Sequence, residues 1–127
     1  MRILIIDDDY VSRAKLKALF AAYGDCDGVQ NGKIAISMVE AAYREDFPYE
    51  LITIDINMPV IDGHYVLHEI KHSEHLYAMA KTAKIVIVSK LGSVPPHYRE
   101  YDAFCQKPVS PEKIDDVMKQ LGFEKMF

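Results

Sequence analysis

The chain has 127 residues, 50% hydrophobic and 27% charged, with a net charge of −4. That length fits one compact domain with a real core, and the mild acidity without a Lys/Arg cluster argues against a nucleic-acid surface. No apolar run approaches the roughly 20 residues of a membrane helix, and the two cysteines, Cys26 and Cys105, form neither a disulfide framework nor a zinc-ligand pattern.

The chain opens with a short apolar run at residues 3–6, too brief for a signal-peptide core. It reads as a buried strand, and the protein is expected to be cytoplasmic with reduced thiols. The strand ends in Asp7-Asp8-Asp9, with Asp9 expected to cap a helix over 10–23. Ser12, Leu16, Leu19, Phe20 and Tyr23 share one face of that helix. Residues 26–30 form a weaker strand candidate. A second helix over 33–44 carries Ile34, Met38, Val39 and Ala42 on one side. The run 51–54 is β-branched and apolar, and it stops at Asp55. Asn57, Met58-Pro59 and Asp62-Gly63 follow as a firm turn into a helix over 64–72 with Val66, Leu67 and Ile70 inward. Gly63 has two readings, a backbone angle that favours glycine or a plain helix start. A third strong strand, 85–88, leads to Ser89. Val94-Pro95-Pro96 then restricts any helix to one or two turns between Pro96 and Glu100. A weak strand at 103–106 runs into Lys107-Pro108. The last helix has the clearest start, with Ser110 as N-cap, Pro111 in the first turn and Glu112 next. Residues 1–122 are expected to form the domain, and 123–127 a tail or linker stub.

Short apolar runs alternating with helical patterns predict a parallel sheet covered on both faces. Ligands of such sheets bind beyond the carboxyl ends of the strands. Those ends carry Asp7, Asp8 and Asp55, the Ser89 hydroxyl and the Lys107 ammonium. Crowded carboxylates repel unless a cation joins them. The three aspartates form a hard oxygen set suited to Mg²⁺, with Mn²⁺ as an alternative ion. A carboxylate can also attack phosphorus, and phosphoryl transfer asks mainly for positioning and charge neutralisation. Lys107 supplies positive charge and Ser89 a hydroxyl donor.

The segments "ILIIDDD", "LITIDINMPVIDG", "IVIVSK" and "AFCQKP", in this order, resemble a response-regulator receiver domain. The likeness covers essentially the whole chain. It implies a flavodoxin-like (CheY-like) α/β fold, a doubly wound five-stranded parallel sheet in the order 2-1-3-4-5. It implies that Asp55 accepts a phosphoryl group from a histidine kinase or phosphotransfer protein. Mg²⁺ would be held by Asp8, Asp55 and the Asn57 backbone carbonyl, with Asp7 acting through water. Lys107 would pair with the acidic residues, while Ser89 and Phe104 would switch together. Lys107-Pro108 resembles the family's often cis Lys-Pro bond. Partners implied are the kinase, docking near the first helix, and a downstream protein or fused output domain. A homodimer is left open, and neither nucleic acid nor membrane is implied.

The chain departs from the family between Ser89 and Lys107, where a full helix is usual, so a reshaped output surface is expected. Asp102-Ala103 stands where Gly-Ala is usual, and Lys90 replaces a small residue. Phe104 has an alternative reading as plain packing. His64, His68 and His72 share a helix face and read as an exposed surface rather than a metal site. Two rival functions are a receiver-like module that is never phosphorylated and a haloacid-dehalogenase-like phosphatase using Asp7 in "DDDYV". The second leaves "DINMPVIDG" unexplained, and its only late acidic pair, Asp115-Asp116, falls inside the final helix.

Overall fold

The computed structural model describes residues 1–56, 62–77 and 82–126. Its elements are β1 (Arg2–Ile6), α1 (Tyr10–Phe20), β2 (Asp25–Val29), α2 (Gly32–Arg44), β3 (Leu51–Asp55), α3 (Gly63–Leu76), β4 (Lys84–Ser89), β5 (Ala103–Gln106) and α4 (Pro111–Gln120). The strands pair in parallel in the order β2-β1-β3-β4-β5.

Alternate strand residues point to opposite faces, and here both faces are apolar. Leu4 and Ile6 of β1, Ile52 and Ile54 of β3, and Ile85 and Ile87 of β4 pack against Ala35, Val39 and Ala42 of α2 and Val66, Leu67 and Ile70 of α3. Ile3 and Ile5, Leu51, and Val86 and Val88 face Leu16 and Phe20 of α1 and Ile114, Val117 and Met118 of α4. Burial on both sides explains why β1, β3 and β4 read as unbroken apolar runs instead of alternating ones. Among the described residues, no helix is long and apolar enough to cross a membrane.

Each helix begins with a side-chain cap. Asp9, Asn31, Asp62 and Ser110 accept the backbone N–H of Ser12, Ile34, Tyr65 and Lys113 respectively. Such caps satisfy donors that the first helical turn leaves unpaired. α1 stops at Phe20, short of the expected 23, because the chain turns there; Tyr23 still buries its ring and donates to Asp115 at 2.7 Å. α3 runs on to Leu76, beyond the expected 72. Residues 123–126 fold back on the domain, with the Met126 N–H donating to the Ala22 carbonyl and Lys125 lying 3.2 Å from Asp115.

The helical turns that the sequence allows between Pro96 and Glu100 do not form. The segment between β4 and β5 makes one turn, closed by the Tyr98 N–H on the Pro95 carbonyl at 3.0 Å, and then runs irregularly. Pro95 and Pro96 remove two consecutive N–H donors, and Tyr98 is drawn into the first core cluster, 7% exposed. Asp102 ties the segment down. Its carboxylate accepts the Ile85 N–H and its own N–H donates to the Ile85 carbonyl, both at 2.8 Å.

Gly63 fits neither of its sequence readings completely. It starts α3 without a positive φ, since Gly122 is the one glycine with such an angle among the described residues. A Cβ on Gly63 would sit 2.6 Å from the Ile56 Cα and 3.1 Å from the Asp55 carbonyl oxygen. The absent side chain lets α3 start directly against the end of β3. We expect Gly63→Ala to destabilise the domain by roughly 1–3 kcal/mol, the scale of overpacking. A lowered urea midpoint at unchanged slope checks this.

Candidate functional site

β1 and β3 are neighbours, yet the chain leaves β1 for β2 on one side and returns to β3 on the other. Their carboxyl ends therefore flank the switch point where open α/β sheets bind ligands. Asp7 follows β1 directly and Asp55 ends β3, so the two carboxylates meet there. One carboxylate oxygen from each of Asp7, Asp8 and Asp55 lies within 4.8 Å of the others. Ionised groups at that spacing repel by about 3–4 kcal/mol per pair at the effective dielectric of a partly buried site.

Lys107 answers part of that repulsion. It leaves β5 two strands away from β3, and its N–H is anchored to the Ser89 carbonyl at 2.7 Å. From there its Nζ reaches across the end of β4 to Asp7 at 2.9 Å and Asp55 at 3.4 Å. The Lys107-Pro108 bond is cis. Burial lowers the ammonium's pKa, but the hydrogen bond to Asp7 and the charges of Asp55 and Asp7 outweigh it, and the net shift is upward.

Asp7 is fully buried and has little capacity left. One oxygen accepts the Asp9 N–H at 2.9 Å, and the other accepts the Ser12 hydroxyl at 2.7 Å and Lys107. Arg13 donates to the Asp7 carbonyl at 2.8 Å. Asp8 is exposed, so the acidic group opens to solvent on that side. Three carboxylates with one solvent-facing member fit a hard ion that keeps several waters, which is the behaviour of Mg²⁺. Asn57 lies outside the described residues.

The Ser89 hydroxyl is completely buried and accepts the Leu91 N–H at 3.1 Å. Phe104 is half-buried on β5 and packs on the first core cluster. Lys90 is exposed and lines a cavity of about 410 Å³ with Lys15 and Lys107.

Three supporting residues escape the sequence reading. Ser12 and Arg13 hold Asp7 from α1, although Ser12 looks like an ordinary inward helix residue. Tyr98 comes from the irregular segment, and its phenol is pushed up to about 12. Burial is the main cause, the charges of Asp62 and Asp55 add to it, and the His64 backbone N–H opposes it. Nothing local marks these residues, because their partners lie on other elements. Asp115 lies on α4 with Tyr23 and Lys125 as partners, remote in role from the acidic group.

Residues 3–119 match the profile of the response regulator receiver domain. The two-component response regulator ORR41 of Oryza sativa subsp. japonica is 32% identical over 126 residues, spanning 93% of this chain and 91% of the relative. The hybrid signal transduction histidine kinase F of Dictyostelium discoideum is 31% identical over 129 residues, covering 94% of this chain but 11% of the kinase. The chain thus spans a small part of that relative. Among solved structures, the receiver domain of the histidine kinase CKI1 from Arabidopsis thaliana, complexed with Mg²⁺, superposes with a TM-score of 0.81 at 24% identity, over 94% of this chain and 90% of the other. At that identity the structural likeness speaks for the fold alone.

Removing the ammonium leaves buried like charges uncompensated. Lys107→Met is expected to cost about 3–5 kcal/mol without divalent ions, as when one partner of a buried pair is deleted. Urea unfolding in a chelator reads this. The raised Lys107 pKa also sets a sign. Its stabilisation is complete below the ordinary lysine value of 10.5 and fades as pH rises through the higher folded value. Wild-type stability should therefore show an alkaline loss in that window that Lys107→Met lacks.

Proposed function

Because this chain belongs to the response regulator receiver domain family, we propose that it is the phosphoacceptor of a two-component phosphorelay, with Asp55 taking a phosphoryl group from a phosphohistidine. The observation that carries this reading is the convergence of Asp7, Asp55 and Lys107 from three strands, with Nζ at 2.9 and 3.4 Å from the two carboxylates. Such a group neutralises and orients, and phosphoryl transfer asks for little else.

In this reading an Asp55 oxygen forms a bond to phosphorus as the bond from phosphorus to the histidine nitrogen breaks. The nitrogen keeps the electron pair. Asp8 and Asp55, with the Asn57 carbonyl oxygen, would hold a divalent ion, Mg²⁺ or Mn²⁺, which would supply positive charge to the carboxylates and the phosphoryl oxygens. Asp7 acts indirectly, in keeping with the three donors that its carboxylate already accepts. Lys107 donates from the opposite side. Ser89 gives up the Leu91 N–H and turns its hydroxyl to a phosphoryl oxygen, while Phe104 follows it inward. The added charge and acceptors thereby bias a two-state segment. Later hydrolysis resets the switch, and the chain is no turnover enzyme.

Tyr10 and Val11 expose 74% and 70% of their surface at the start of α1, next to the acidic group. Two apolar residues so open beside a reaction centre suit docking by a histidine kinase or phosphotransfer protein in the cytoplasm. The irregular 90–102 segment suits an unusual downstream partner, a fused output domain or a homodimer contact.

Intact mass after incubation with acetyl phosphate and Mg²⁺ tests the reading. Wild type should gain one phosphoryl group, Asp55→Asn should gain none, and chelation should abolish the gain. A phosphoryl group that maps to Asp7, or its complete absence under conditions where the protein is folded and binds the ion, overturns it.

A further inference from the structure

All five histidines of the chain line two adjoining cavities between α3 and the segment that links β4 to β5. The smaller, of about 180 Å³, is bounded by His64, His68 and His97 together with Glu100, Lys71 and Arg99. His64 and His68 are one helical turn apart on α3 and share a face. His97 arrives from the irregular segment and meets His64 edge-on, with ring centroids 4.8 Å apart and planes at 70°.

This meeting is held by the core and not by the loop alone. Tyr98, 7% exposed, packs its ring against His64 at 5.2 Å and against His97 at 4.9 Å. Glu100 sits at a φ of 62°, a conformation uncommon outside glycine, and lines the same cavity. Burial in the core does not account for His68 and His97, which are exposed while Val66, Leu67 and Ile70 do the burying on α3. Of the two cations nearby, Lys71 is paired with Glu74 at 3.2 Å.

We propose that His64, His68 and His97, with Glu100, form a site for a transition-metal ion of the Zn²⁺ class, separate from the acidic site, which clamps the 90–102 segment to α3. Imidazole nitrogens suit Zn²⁺, Cu²⁺ and Ni²⁺, whereas the aspartates suit Mg²⁺. Two histidines at i, i+4 on a helix are a zinc-chelating spacing, and a third ligand from another element turns a surface pair into a clamp. Among the described residues, Asp7, Asp8 and Asp55 are the one group of three whose ligand atoms already lie within 4.8 Å of one another. The exposed His68 and His97 therefore close on the half-buried His64 by side-chain rotation when the ion arrives. The proposal is independent of phosphorylation at Asp55.

Titration of the untagged protein with Zn²⁺ in excess Mg²⁺, which occupies the acidic site, tests it. One equivalent should bind. His68→Ala and His97→Ala should each weaken binding by about tenfold or more, the scale of a lost metal-site contact, while His72→Ala and His75→Ala leave it unchanged. Co²⁺ as a probe should give a visible d–d band that His97→Ala removes, a readout that a change in stability alone would not mimic. Unaltered affinity in His97→Ala, or a loss in His72→Ala matching that in His68→Ala, would reduce the cluster to plain helix-surface chelation and overturn the clamp.

Discussion

The contact of the Lys107 ammonium with Asp7 and Asp55 is the constraint on which the site depends. Three carboxylates converge where β1 and β3 end, and nothing in the hydrophobic core favours that. The sheet brings them there because its strand order puts β1 beside β3, and the core on both faces makes that order stable. Lys107 can offset the repulsion only because β5 lies on the far side of β4 and the Ser89 carbonyl anchors its backbone. Among the described residues, Lys107 is paired with both Asp7 and Asp55, while Asp8 leaves the cluster open to solvent. The fold thus holds carboxylates together at a strand-end position that a hard divalent ion can reach from solvent.

A second consequence concerns the 90–102 segment. Where a helix would normally present a regular surface, this chain uses a proline turn, a buried tyrosine and an aspartate bonded twice to Ile85. Tyr98 does the packing that a helix face would otherwise do. Its ring lies in the core cluster against which Phe104 packs, and its hydroxyl lies near the first turn of α3. The segment is therefore joined both to the core cluster that Phe104 packs against and to the first turn of α3.

Much of this was legible in the sequence for a physical reason. A strand buried on both faces must be an apolar run, so 3–6, 51–54 and 85–88 announced themselves, and parallel strands oblige helices between them. Polar residues at the ends of such runs mark one edge of the sheet, which is why Asp7, Asp55, Ser89 and Lys107 could be grouped without coordinates. Asp9 and Ser110 were legible as caps because a cap acts within three residues of itself. Only the tertiary structure decided matters in which the partners are distant in sequence. The Lys107 reach over β4, the support of Asp7 by Ser12 and Arg13, and the burial of Tyr98 belong here. So do the need for a bare Cα at Gly63 against Ile56, and the meeting of His97 with His64. Local chemistry is written in short spacings, whereas a long-range contact exists only once packing has chosen which surfaces face each other.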